Sequence, residues 1–121
     1  MELLFAYTRE MAITDGILID VSSTARECGI RYHTALTRSV WTRFVQLPDD
    51  HETGMDPDGR LWDILFLLKV SCRQTTGTTV RFWLATYDAV CRAHRVVRLK
   101  AICGPGDDWE PVITVMLPEE D

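Results

Sequence analysis

Acidic side chains crowd the stretch "GPGDDWEP" near the end of this 121-residue chain, where Asp107, Asp108 and Glu110 follow a glycine-proline-glycine bend. Carboxylates this close together could hold a hard divalent cation, since magnesium and calcium take oxygen ligands. They could also steer a basic partner, or simply stand solvated on a turn. A phosphate cradle is excluded: such a loop runs from a strand into a helix N-terminus, often with a Lys and a Ser/Thr following, and Asp107 and Asp108 would repel the anion. Asp56 and Asp58 in "DPDG" resemble part of a calcium loop but lack the remaining ligand pattern and its closing glutamate. No metal is therefore expected at either place.

Other reactive residues are scattered. His33, His51 and His94 lie far apart, and Cys28, Cys72, Cys91 and Cys103 form no CxxC and flank no histidine at metal-ligand spacing. Cys28 with His33 is thinkable as a nucleophile and base, because catalytic groups need only meet in space. A small buried thiol and a surface imidazole are their ordinary roles. No glycine-rich cofactor loop or nucleophile elbow names a reaction, so no cofactor is expected and a non-enzymatic role fits better than an enzyme.

A second constellation is Arg81, Trp83 and Tyr87 with Arg98 and Lys100, cations interleaved with aromatics. In a sheet face this composition could hold phosphates and stack bases of single-stranded nucleic acid. Alternatively, Trp83 is covered by a helix or a second copy, and Arg81 and Lys100 pair with Glu110 or the acidic tail.

The net charge of −5 hides a segregation. Residues 48–59 carry five acids and residues 106–121 carry six, with no Lys or Arg in either, so all 13 basic residues lie elsewhere. Such polarity serves a partner or is compensated internally, where cross-strand pairs contribute about 0.2–1 kcal/mol each.

The elements that must position these residues follow from pattern. Thr8 reads as a helix N-cap and Gly16 as its stop; residues 17–22 read as a strand and residues 22–29 as one or two helical turns. From Thr37, "TRSVWTRFVQL" places Val40, Trp41, Phe44 and Val45 on one helical face. Residues 60–74 form the central helix, with Leu61, Ile64, Leu65, Leu68 and Cys72 on one stripe and Trp62, Phe66 and Val70 on a neighbouring one. A face so wide implies burial of much of its circumference. From position 79 the period changes to two: Val80, Phe82 and Leu84 alternate with Arg81 and Trp83, Val97, Leu99 and Ala101 alternate with Arg98 and Lys100, and Ile113, Val115 and Leu117 point inward.

The expected architecture is α+β: one domain over 1–121, with an antiparallel sheet of three to four strands, a C-terminal meander, packed against two or three helices. Residues 48–59 read as an acidic loop and 118–121 as an acidic tail. The longest apolar run, "LWDILFLLKV", contains Asp63 and Lys69 and is too short and polar to span a membrane. The N-terminus has no secretion-signal pattern, so the cytoplasm is expected.

The stretches "YTREMAITDGILIDVSSTARECGI", "ALTRSVWTRFVQLP", "GRLWDILFLLKV" and "LKAICGPGDDWEPVITVMLPEED" together resemble a family of short bacterial proteins classed as a domain of unknown function. The resemblance covers nearly the whole chain, implies carriage on plasmids, phages and other mobile elements, and assigns no catalytic residue. Its setting implies a role in counteracting or managing host functions. The expected function is that of a protein-binding protein, with Asp107, Asp108, Glu110, Glu119, Glu120 and Asp121 facing a basic host protein, such as one that itself binds nucleic acid. The alternative is direct nucleic-acid binding by Arg81, Trp83, Tyr87, Arg98 and Lys100. A homodimer through an edge strand or the Trp83 face is also open.

Overall fold

Thr8 begins the first helix because its hydroxyl accepts a hydrogen bond from the Met11 N–H, satisfying one of the donors that a helix start leaves free. In the computed structural model, which describes residues 7–46 and 56–120, this helix, α1, spans Arg9–Thr14 and is closed by Gly16 at φ +78°. Strand β1 (Leu18–Asp20) and helix α2 (Ser22–Cys28) follow, and α2 stops at Gly29 in the left-handed region. Strand β2 covers His33–Thr37. Thr37 then caps a single turn, α3 (Arg38–Val40), which widens into a π-helical turn over Trp41–Val45, closed by the Gln46 N–H on the Trp41 carbonyl.

The longest helix, α4 (Pro57–Arg73), starts where Asp56 accepts the Gly59 N–H at 2.8 Å and Pro57 presets the first turn. The meander then runs through β3 (Thr79–Asp88), β4 (Ala93–Pro105) and β5 (Pro111–Met116).

The sheet has five strands in the order β1-β2-β5-β4-β3. It is mixed, which corrects the expectation of three to four antiparallel strands: β2 lies parallel to β5, with Ala35 opposite Thr114, while the other pairs are antiparallel. The segment "HTALT" gives no alternating signal because Thr34, Ala35 and Leu36 are all buried in the sheet interior, the situation of a strand covered on both faces.

One face carries the core. Val80, Phe82, Leu84, Leu99 and Val115 meet Leu61, Ile64, Leu65 and Leu68 of α4, with Val40, Phe44 and Val45 closing one side. The broad apolar circumference of α4 is only partly used, since Trp62 and Phe66 are exposed, Phe66 at 54%. Arg9 of α1 reaches the other face: its guanidinium donates to Thr114 Oγ1 at 2.7 Å, and Thr114 alternates with the core-facing Ile113 and Val115.

Candidate functional site

The β4–β5 connection is a tight turn, as its glycine-proline composition requires. Gly106 N–H donates to the Glu110 carbonyl at 2.6 Å and Trp109 N–H to the Gly106 carbonyl at 3.1 Å. The Glu110 side chain folds back over Gly106 and accepts the Asp108 N–H at 3.1 Å. A Cβ at Gly106 would collide with that carboxylate and with Val112, so a larger residue there would force the Glu110 side chain out of its place over the turn. From outside, Asp107 ties the turn to α1 by accepting the N–H groups of Arg9 at 2.8 Å and Glu10 at 3.0 Å. These two backbone donors hold the Asp107 carboxyl below its ordinary pKa.

Trp109 is the consequence of this construction. It sits at φ +66°, a left-handed conformation that is a true outlier for a bulky residue, and its side chain is 85% exposed. Nothing is gained by burying the indole there; the chain holds it in water on a locked backbone.

The six expected acids therefore divide. Asp107 and Glu110 build the turn. Glu120 fastens the C-terminal end: its carboxylate accepts the Leu117 N–H at 2.7 Å and the Thr37 hydroxyl at 2.8 Å, and its carbonyl accepts the Lys100 ammonium. Asp108 and Glu119 are exposed, and their carboxylates have no partner among the described residues. Asp121 lies outside the described residues, as do His51 and most of the 48–59 loop; Asp56 is the cap of α4.

The basic and aromatic constellation also separates. Arg81 is exposed, Trp83 is 61% exposed, and the Arg98 guanidinium lies over the Trp83 ring at 5.4 Å. Strand register explains this meeting, since Trp83 faces Arg98 and Arg81 faces Lys100. Lys100, however, is buried under the C-terminal turn. Tyr87 is buried too, its ring edge-on to His94 at 5.3 Å and beside the Arg60 guanidinium at 5.9 Å. Neither joins the exposed platform of Arg81, Trp83 and Arg98.

Sequence reasoning missed a cluster at the end of β3. Asp88 is fully buried and receives Arg43 bidentately at 2.9 and 3.0 Å, Arg95 at 3.4 Å, and the N–H groups of Val90 and Cys91. Burial alone would raise its pKa; the hydrogen bonds from Arg43 and the turn overcome this and lower it from 3.8 to about 2. A signal was present: Asp88 is the only acid between residues 64 and 106, so the basic residues around it had one local partner. Beside it, buried Arg60 donates to the Tyr87 carbonyl at 2.7 Å, while its Nε and second terminal nitrogen have no hydrogen-bond partner among the described residues.

Cys28 is buried, His33 is exposed on β2, and no hydrogen bond joins them. The four cysteines are free thiols. Among the described residues, no group of three His, Cys, Asp or Glu is placed to hold a metal ion, and no helix is long and apolar enough to cross a membrane.

No curated protein and no solved structure matches this chain. A family model described as "Family of unknown function (DUF6573)" matches residues 1–121, and the chain belongs to that family.

Proposed function

We propose that this is a non-enzymatic, cytoplasmic protein-binding protein whose working element is the β4–β5 turn, with Trp109 as anchor and Asp108 as the charge that selects a basic partner. The observation that carries this reading is the 85% exposed indole of Trp109 on a left-handed backbone pinned at both ends. Sterically costly backbone that persists at an exposed residue supports a role in recognition. A rigid aromatic anchor loses little freedom on binding, and tryptophan is the residue most enriched at interface hot spots. A neighbouring carboxylate steers approach to a basic surface such as that of a nucleic-acid-binding host protein. Carriage on a mobile element, implied by the resemblance, would make an anti-defence inhibitor of this type useful to its carrier.

The test is capture of host proteins by the tagged chain, followed by variants against whichever partner is retained. Trp109→Ala should weaken that partner by about 2 kcal/mol or more, as at a hot spot. Asp108→Asn should chiefly reduce the salt dependence of association. Retention of full affinity by Trp109→Ala removes this reading.

The stack of Arg98 on exposed Trp83 favours a second reading, single-stranded nucleic acid bound across Arg81, Trp83 and Arg98. Anisotropy of a labelled oligothymidine at low salt measures it directly. Binding should fall steeply as salt rises and be lost in Trp83→Ala; an unchanged anisotropy discards it.

A further inference from the structure

Helices α2 and α4 end at the same margin of the core face. Gly29, which closes α2, and Arg73, the last residue of α4, border a depression there together with two cross-strand pairs of the sheet, Val80 beside Ala101 and Cys103 beside Ile113. The result is a cleft of about 340 Å³ whose floor is Ile30, Val80, Ala101 and Ile113 with the thiols of Cys72 and Cys103. Its size falls in the range of sites for small molecules, and such sites are mostly apolar with a few charged groups at the edge.

The charge on this cleft is one-sided. Lys69, Arg73 and Arg31 line it, and although the chain has 18 acids, none of its lining residues is acidic. Lys69 passes over the end of α2: a Cβ on Gly29 would lie 2.9 Å from its Nζ. Part of this positive charge offsets the negative ends of α2 and α4. None of the three cations forms an ion pair with a carboxylate among the described residues, so each is available to an incoming one. Burial and the neighbouring Cys103 push the Cys72 thiol up, which disfavours its thiolate.

We propose that this cleft binds a small amphipathic carboxylate, an aliphatic or aromatic body lying on the thiol-bearing floor with its carboxylate held by Lys69 and Arg73. The apolar side chains Ile30, Val80, Ala101 and Ile113 give the body somewhere dry to sit. The cations of the rim distinguish an acid from an alcohol or amine of the same shape. The cleft shares no residue with the Trp109 turn, so this site and the partner-binding role stand or fall separately.

The experiment is a titration of the isotopically labelled full chain with octanoate, read by amide chemical shifts, with octylamine as the shape-matched cation. Octanoate should give saturable shifts at Gly29, Gly77, Thr78 and Cys103, and octylamine should give none there. Lys69→Gln combined with Arg73→Gln should weaken octanoate by about ten-fold or more, and Cys72→Phe, which fills the floor, should abolish the shifts. The same spectra report whether each variant remains folded, and the surface pair keeps the test intact if Cys72→Phe does not. Non-saturating shifts, equal response to octylamine, or undiminished binding by the Lys69/Arg73 variant would overturn the proposal.

Discussion

The two turns of the C-terminal meander use the same ingredients in opposite ways. Between β3 and β4 the acid Asp88 points inward, is fully buried, and gathers Arg43, Arg95 and two backbone donors. Between β4 and β5 the acid Asp107 stays at the surface and caps α1, while the aromatic residue of the turn is pushed outward. Both turns contain a non-glycine residue at positive φ, Arg92 in the first and Trp109 in the second. The first turn is a joint between the sheet and the helical layer. The second presents a side chain to solution. Position in a hairpin says little about use; what the turn's acid holds on to says more.

The largest effect should come from cutting the buried joint. Asp88→Ala is expected to cost about 3 kcal/mol in urea denaturation, the low end for a broken buried pair because Arg43 keeps some contact with water. Replacement of exposed Asp107 should cost clearly less, and equal losses at the two sites would erase the contrast between them.

Acid should separate the turns in the same way. The pKa of Asp88 is lowered on folding, from 3.8 to about 2, so its contribution is complete above the unfolded value and is lost as pH falls from about 4 toward 2. That contribution is on the order of 2 kcal/mol. The stability gap between the native chain and Asp88→Asn should therefore narrow over that window, and a gap constant from pH 5 to pH 2 would contradict the assignment.

A smaller change of opposite sign is expected at Trp109. Trp109→Asn should stabilise the fold by about 1 kcal/mol, because asparagine tolerates the left-handed conformation and the exposed indole contributes little burial. The same change at Trp83, on a regular strand, should be neutral or mildly destabilising, since asparagine is disfavoured in strands. Thermal melts of the two variants measure both signs. If Trp109→Asn gains nothing, the turn is not strained and the case for Trp109 as a displayed anchor weakens.

Much of this architecture is legible in the residues. Period-two alternation from position 79 marks the meander, Thr8 and Gly16 bracket α1, and Leu61 to Leu68 mark the inner face of α4. What escapes are features without a local signature. Parallel pairing of β2 with β5 joins distant segments, and "HTALT" is too small and too evenly buried to alternate. Tyr87 and Asp88 are both buried although neighbours on a strand point to opposite sides, because Arg60 covers one and Arg43 the other. The exposure of Trp62 and Phe66 breaks the rule that a broad apolar stripe is a buried one. Of the candidate site, the sequence locates the acidic turn and the Arg81, Trp83, Arg98 patch. Which acids are consumed as caps depends on contacts across the whole chain.

The placement of β5 in the middle of the sheet has a consequence for how the chain is made. β5 is made after the other four strands of the sheet, yet it joins the antiparallel β1–β2 pair on one side to β4 on the other. The early β1–β2 pair must wait until α4, β3 and β4 have been made before it finds its neighbour, a high-contact-order arrangement that slows folding. A chain truncated ahead of Pro111 would leave two sheet fragments with unpaired edges, which are natural templates for aggregation.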